Sequence, residues 1–378
     1  MGRQRKLQGL SLEWSAKSLA PVALTEDIFE AGNKTVADVL SSVTGSEKPR
    51  VMLVADQNVV QRTESLGLAI GRYVQEHGIS LAGAPVVIGG GEKIKNDDMQ
   101  TVRRIVRAAL DAKIGATDAI VAIGGGTLLD VAGYAAAQVR GGVGIVRVPT
   151  TPASMVDAAF ASNAALDDVN IKDALRVPCR PAAVIIDTAF ADTVLDGVWR
   201  GGAGELVRFA AVSDATLMKK IAKNAGALKE RDAGCLFELV RDCVSGRVKN
   251  GDSGFAQWCA ARLESMSGYK LPHGYAVPIA ICIDCAYAVA RGILEESDQE
   301  IICGALAECG ALDGLPHSHH LLSQAENILY GLDAWRLATG SETVILPSGI
   351  GKSAAEGCPD RDVYKKVIKD FLAVSTNA

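Results

Sequence analysis

Gly124-Gly125-Gly126 is the densest chemical signal in the chain. The three glycines end an apolar run, Asp118 to Ile123, and open a helical pattern that carries Asp130. Bare backbone at such a turn lets an anion approach closely and points N–H groups at it, so the run reads as a cradle for the pyrophosphate of a dinucleotide. It lacks the spaced GxGxxG of the common fingerprint, and its neighbours carry the reading instead. Asp56 and Asn58 close one strand-like run, Glu92 and Lys95 follow Gly89-Gly90-Gly91, and Thr150-Thr151 follow Val148-Pro149. Glu92 is a candidate for ribose hydroxyls, because carboxylates accept from them. Asp130 and Asp157 are candidate site carboxylates, with capping or turn roles as the alternative. Arg140 follows a helix pattern and either anchors a phosphate or complements the helix dipole.

Other reactive residue types have plainer readings. Cys282-Ile-Asp-Cys285 has CxxC spacing but lies in an apolar helix-like run, which favours buried thiols over redox or metal work. His317-Ser-His319-His320 follows Gly314-Leu-Pro316 and reads as a solvated or gating loop, with substitute metal ligation as the other option. His77, ahead of Gly78, reads as a helix C-terminal residue.

The elements that must hold these groups alternate from residue 50 onward. Strand patterns at 51–55, 85–88, 119–123 and 145–148 alternate with helix patterns at 59–76, 97–113 and 127–139, which implies parallel βαβ units. Ligands of such sheets bind outside the carboxyl ends of the strands, where Gly124 to Gly126 fall. A last strand-like run ends at Asp187. Beyond it come amphipathic segments around 204–227, 231–247, 254–267, 276–294, 297–311 and 321–338. The expected architecture is an α/β domain over 1–193 with a parallel Rossmann-like sheet, an all-helical domain over 194–378, and an active site in the cleft between them.

In order, Asp56-Gln-Asn58-Val, Gly91-Glu92-Lys-Ile-Lys95, Gly124-Gly-Gly126 with Asp130, Arg140-Gly, Val148-Pro-Thr150-Thr151 and Val156-Asp157 make a pattern that resembles the dehydroquinate synthase-like superfamily, and within it the sugar phosphate cyclases. The resemblance continues through Pro181 to Asp187, Gly204-Glu205 and His273-Gly274. The ends, Asp27-Ile-Phe29 and Asn33-Lys-Thr-Val36 in front and Leu337 to Gly351 behind, look like the cyclases that take sedoheptulose 7-phosphate: the epi-valiolone synthases and desmethyl-4-deoxygadusol synthase.

The resemblance implies a ketose phosphate substrate, tightly held NAD, and a divalent metal, zinc or cobalt, acting as a Lewis acid. A hydroxyl is transiently oxidised, phosphate leaves, the carbonyl is re-reduced, and an aldol step closes a carbocycle. It places Asp56, Asn58, Glu92, Lys95, Gly124, Gly125, Gly126, Asp130, Thr150 and Thr151 around NAD. It assigns Asp157, Lys172, Arg208 and Glu264 to catalysis and Arg140 and Asn163 to the substrate phosphate. Of the three metal positions, Glu205 and His273 match, whereas Gln257 stands where the family has histidine, and a neutral amide is a poor zinc ligand. Ala261 replaces a second histidine, Tyr275 a glutamate, Asn163 a lysine, and Arg208 a lysine. These departures point to an altered metal centre. Beside the cyclase reading stand a diverged reaction on a related sugar phosphate, an NAD-dependent alcohol or polyol-phosphate dehydrogenase of the iron-type group, and a non-catalytic NAD-binding homologue. A homodimer is expected from the family.

Composition fits a soluble globular enzyme. With 48% hydrophobic and 22% charged residues, 378 residues suffice for about two domains and a sizeable core. A net charge of −5 argues against nucleic acid as the main partner. The nine cysteines, an odd number, suit reduced thiols in a cytoplasm. The basic start, Arg3, Arg5 and Lys6, leads into no uninterrupted apolar segment, so no signal peptide is expected. The run Ala276 to Ala290 contains Asp284 and is short for a bilayer span, so no membrane segment is expected.

Overall fold

The structure, a computed structural model, describes residues 19–377; Arg3, Arg5 and Lys6 lie outside the described residues. In chain order the elements are β1 (Val22–Thr25), α1 (Thr35–Thr44), β2 (Arg50–Asp56), α2 (Gln57–Arg62), α3 (Leu66–Glu76), β3 (Ser80–Leu81), β4 (Val86–Ile88), α4 (Gln100–Asp111), β5 (Ala119–Gly124), α5 (Gly126–Gln138), β6 (Gly144–Pro149), α6 (Pro152–Val156), β7 (Asn163–Asp168), β8 (Ile171–Pro178) and β9 (Ala183–Asp187). The expected α/β pattern is present. Helix 59–76 is two helices rather than one, because Ser65 turns the chain at φ 58°.

Seven strands form one parallel sheet in the order β1-β9-β6-β5-β2-β3, with β4 continuing beside β2. β2 and β5 run side by side from Val51↔Ala119 to Ala55↔Ile123. Both strands are buried along almost their whole length, as a sheet covered by helices on both faces requires. The chain leaves β2 toward β4 on one side and returns to β5 on the other, so strand order reverses between β2 and β5. A crevice opens at such a reversal. Asp56 ends one of its walls and Gly124 the other.

Between β6 and β9 the chain leaves the sheet to build an antiparallel hairpin, β7 with β8, which packs on α5. Val169 and Asn170 turn it, both with positive φ, and the register shifts between Leu166 and Asp168. Arg147 on β6 is 1% exposed and ties this excursion down. It donates to the Ala158 and Ala161 carbonyls at 3.1 and 2.7 Å and to that of Cys179 at 2.9 Å.

The remainder is helical, with one small hairpin. It comprises α7 (Asp196–Ser213), α8 (Ala215–Lys223), α9 (Ala225–Lys229), α10 (Ala233–Asn250), α11 (Gln257–Met266), α12 (His273–Ala290), α13 (Glu296–Glu308), α14 (His319–Leu322), α15 (Ala325–Thr339), the hairpin β10 (Val344–Gly349) with β11 (Lys352–Glu356), and α16 (Arg361–Asn377). α12 is central and touches α7, α11, α13 and α16. It is the one described helix long and apolar enough to cross a membrane by length and composition, and 67% of that window is packed inside the protein. Cys282 and Cys285 are buried within it. α7 and α12 cross with backbones almost touching: a Cβ on Gly201 would meet the Gly274 Cα at 2.6 Å, and one on Gly274 would meet the Gly201 Cα at 2.5 Å.

Candidate active site

The glycine run sits where the sheet opens. Gly124 ends β5, Gly125 is the residue before α5, and no side chain caps that helix, leaving its first N–H groups free to meet an anion. The space in front is shaped for bare backbone. A Cβ on Gly124 would lie 2.4 Å from Leu128 Cδ2, and one on Gly125 3.2 Å from Thr151 Cγ2. Thr150 Oγ1 is buried and without a hydrogen-bond partner in the protein. Asp56 accepts from the Asn58 backbone N–H at 2.7 Å and so starts α2 at the crevice edge. Thr151 closes a capping box with Ser154 that starts α6, so its hydroxyl has a structural partner.

Behind the cradle lies a knot of charge. Lys95 is buried and reaches Asp130 at 3.0 Å, Asp173 at 2.5 Å and Asp167 at 3.8 Å. Burial works against its charge, but Asp130 and Asp173 outweigh it and hold the ammonium well above its ordinary value. Glu92 accepts from the Thr127 hydroxyl at 3.1 Å in the first turn of α5.

From Glu92 a row of alternating charges runs out of the sheet and into the helices. Lys172 lies 2.5 Å from Glu92 Oε1 and 2.9 Å from Glu264 Oε2. Glu264 Oε1 meets His273 Nδ1 at 2.8 Å, and His273 Nε2 meets Glu205 Oε1 at 3.0 Å. The other oxygen of Glu205 accepts from Arg208 Nε at 2.7 Å, and Arg208 donates to Asp157 Oδ1 at 2.7 Å and Asp252 Oδ1 at 2.9 Å. Arg247 joins from α10, hydrogen-bonded to Asp157 and 2.9 Å from Asp252 Oδ1.

Within this row His273 is the most open side chain, 41% accessible, followed by Asp252 at 33%, against 2% for Glu205 and 3% for Glu264. Burial of the ring opposes its charge, yet Glu264 and then Glu205 hold the imidazole well above its ordinary pKa. Burial would likewise raise Glu205, but Arg208 and His273 keep it ionised with a pKa near 2. Tyr269 Oη is buried without a hydrogen-bond partner and lies in the field of Asp167, Lys172, Glu92 and Glu264. A cleft of about 580 Å³ reaches the far end of the row at Asp252, with Ser213, Ser253, Ser348, Lys352 and Ser353 also on its walls.

Most residues picked from sequence therefore meet: Glu92, Lys95, Asp130, Asp157, Lys172, Glu205, Arg208, Glu264 and His273. Arg140 does not. It is exposed at the far end of α5, where Nε donates to the Ile114 carbonyl at 3.1 Å, so within this chain it lies away from the cleft and does not reach a phosphate there. Asn163 is exposed at the end of the β7–β8 hairpin opposite to Lys172, paired with Pro178, because the strand register carries it away. Gln257 is at the row but turned along it, its amide donating to Asp252 Oδ2 at 3.1 Å. Tyr275 fills the space between Gly197 and Gly314. The turns over His317–His320 pack beside α16, outside the row.

Sequence reasoning missed Arg247, Asp252, Asp167, Asp173 and Tyr269. Arg247 carried a signal: it continues the buried stripe Leu236, Leu239, Val240, Cys243 of α10, where an arginine is out of place unless paired. Asp252 lay hidden in the loop Asn250-Gly-Asp-Ser-Gly254.

A dinucleotide fits the residues around the glycine cradle. A metal triad does not form in the same way: Glu205 and His273 converge, but both oxygens of one and both nitrogens of the other are already engaged, and Gln257 faces Asp252. Among the described residues no three His, Cys, Asp or Glu side chains form a metal-binding group.

Comparison with known proteins agrees with this layout. A family profile for the N-terminal part of 3-dehydroquinate synthase matches residues 85–200. A 3-dehydroquinate synthase of Pyrobaculum islandicum is 32% identical over 282 residues, covering 68% of this chain and 80% of that protein. A 2-epi-5-epi-valiolone synthase of an Actinomyces species is 28% identical over 351 residues, covering 87% of this chain and 89% of the relative. In fold, the chain resembles the 2-epi-5-epi-valiolone synthase of Streptomyces hygroscopicus subsp. jinggangensis, solved with NAD+ and Zn2+ bound, with a TM-score of 0.83 at 23% identity, covering 97% of this chain and all of that one.

Proposed function

The chain belongs to the dehydroquinate synthase-like sugar phosphate cyclases, and from that premise we propose that it binds NAD and converts a sedoheptulose 7-phosphate-like ketose phosphate into a cyclitol. The observation that carries this reading is the unbroken row from Glu92 to Asp157. It joins the dinucleotide cradle to carboxylate, imidazole and guanidinium groups of the helical half, which a plain cofactor-binding scaffold does not need.

NAD, when bound, supplies a hydride acceptor that becomes a donor again in the same turnover. The chain's own groups do the rest. The start of α5 would hold the pyrophosphate, and Glu92, accepting from Thr127, would take a ribose hydroxyl. His273, the most accessible side chain of the row, is held protonated between Glu264 and Glu205, and so is the group that gives a proton from Nε2 to a substrate oxygen, Glu205 yielding that contact while Glu264 keeps Nδ1 in place. Lys172 presents a positive charge between the two halves, suited to an anionic substrate group. The unpartnered Tyr269 hydroxyl adds a donor on the same side. In this reading residues up to about 193 carry the cofactor, those from 194 carry most of the chemistry, and two chains pair as a homodimer, which light scattering on the purified protein would establish.

Incubation with NAD and sedoheptulose 7-phosphate tests the reaction. Expected are inorganic phosphate and cyclitol in equal amounts with no net NADH. Stoichiometric NADH accumulation on that substrate or on simple polyols would assign a dehydrogenase instead. Bound NAD with no turnover on several heptulose phosphates would leave a non-catalytic homologue, the outcome that Gln257, Ala261 and Tyr275 would favour.

A further inference from the structure

Three carboxylates surround one point at the helical end of the row. Asp157 follows α6, Glu205 sits on α7, and Asp252 lies in the loop after α10. Arg208 occupies the space among them. Its side chain is 1% exposed, and its three nitrogens each serve a different carboxylate, at 2.7 Å to Glu205, 2.7 Å to Asp157 and 2.9 Å to Asp252. Arg247, with 4% of its side chain exposed, bridges two of the same carboxylates from the other side and lies over the Phe209 ring at 5.7 Å. Its Nη1 lies near Asp252 but outside hydrogen-bonding alignment, which leaves a buried donor without an acceptor.

This arrangement leaves little role for a dissociable ion. A divalent cation between Glu205 Oε1 and His273 Nε2 would find only those two ligands, because Gln257 is turned to Asp252, and it would share the Glu205 carboxylate with the Arg208 guanidinium on Oε2, where charges of like sign repel. Removing Arg208 would strand Glu205, whose side chain is 2% exposed, and a buried charge without its partner is costly. Arginine is the one side chain that stays charged in such a place and offers a planar fork to several oxygens at once.

We propose that the Arg208–Arg247 pair is the resident cation of this site: it supplies beside Glu205 the positive charge that the valiolone synthase solved with Zn2+ has in an ion, so that this chain holds no divalent metal and turnover needs none. This rests on the cyclase reading above. Fixed positive charge in place of an ion is chemically sound, because a preorganised charge stabilises negative charge developing on a nearby oxygen without having to reorganise.

The test begins with the unaltered NAD-loaded protein, which needs no variant to fold. After exposure to excess Zn2+ or Co2+ and desalting, elemental analysis should find far less than one metal per chain. The visible spectrum should show no protein-bound Co2+ band, and neither metal nor EDTA should move the melting temperature. Cyclitol formation should continue unchanged in EDTA. One equivalent of metal that is lost in Glu205→Gln and His273→Ala, with turnover abolished by EDTA and restored by Zn2+, would overturn the inference while leaving the cyclase reading intact. Absence of cyclitol under every metal condition would instead sink that reading.

A gain-of-binding arm checks the occupant itself. Arg208→Lys combined with Gln257→His should take up one Co2+ per chain with a tetrahedral absorption band. A double variant that melts cooperatively and retains NAD, yet takes up no cobalt, would show that Arg208 is not what stands in the ion's place.

Discussion

Lys172 bridges carboxylates from the two halves of the molecule, Glu92 beside the cradle and Glu264 on α11. Burial alone would raise the Glu92 carboxyl; Lys172 and then Lys95 outweigh it and hold it near 2, against 4.5 for the free group. A carboxyl whose folded pKa is lowered gives stability that is complete above its unfolded value and is lost as pH falls through the folded one. Glu92 thus contributes roughly 3 kcal/mol at neutral pH, lost between about pH 4.5 and 2. Lys172→Met should cost about 3–5 kcal/mol at neutral pH, since it strands two buried carboxylates. Its loss of stability toward acid should be shallower than that of the parent, and denaturant melts across this window measure both. Asp284 has the opposite sign. It is wholly buried under Trp258 Nε1 and Tyr364 Oη, at 3.1 and 2.8 Å, and burial, only partly countered by these donors, raises its carboxyl from 3.8 to about 7. Stability from a raised acid is complete below the unfolded pKa and drains as pH climbs through the folded one, so the protein should soften between about pH 4 and 7 by a few kcal/mol at most. Asp284→Asn keeps an acceptor for both donors and should flatten that slope in thermal melts. At this scale the sequence was legible where a motif fixed a residue type, as for Glu205 and His273. It was silent on how Gln257 would point, because an amide side chain is aimed by its neighbours and Asp252 was not a recognised one.

Two crossings of elements set the site's dimensions. α7 and α12 approach through Gly201 and Gly274, and that contact places Glu205 and His273 within 3.0 Å of each other. Gly274→Ala forces the helices apart at an overpacking cost of about 1–3 kcal/mol. Cyclitol formation should fall far more than that stability loss suggests, with NAD binding retained; equal losses in all three measurements would contradict the argument. The β7–β8 hairpin places Lys172 through a turn in which Val169 stands at φ 42°, where a β-branched side chain crowds its own backbone. Val169 is 77% exposed, so nothing holds it there by packing. Val169→Gly should raise stability by about 1 kcal/mol without altering turnover, read from denaturant midpoints and phosphate release. That turn also explains why the hairpin was not anticipated. It has neither Asn-Gly nor Asp-Gly, and β7 buries Ala164, Ala165, Leu166 and Asp167 in succession, so no alternation announces a strand. Most of the main sheet was legible because β2, β5 and β9 are β-branched apolar runs that each stop at a glycine or an aspartate and are spaced by helical patterns.

Over the whole molecule, the row of charges and the packing of α6 on α7 make one cooperative body of the parallel sheet and the helical half. NAD should therefore raise a single melting transition rather than the earlier of two, by about 2.7 kcal/mol at a hundredfold excess over Kd. Two resolved transitions, one insensitive to NAD, would disprove that coupling. The layout of α/β followed by helices was readable from the change of pattern near Asp187. The pairing of the first strand was not, because no local signal in Val22–Thr25 names its neighbour. That pairing governs how the chain is assembled. β1 lies parallel to β9, from Val22↔Val184 to Thr25↔Asp187, and the Ile28 backbone N–H is held by the Asp187 carboxylate at 3.0 Å. Among the described strands β1 is thus made first yet is the last that the sheet can receive, and it must wait unpaired until β9 has been synthesised and laid beside β6. Contacts of such long sequence separation form late and slowly. An exposed Val-Ala-Leu-Thr strand in that interval is where a stalled or truncated chain would find the wrong partner.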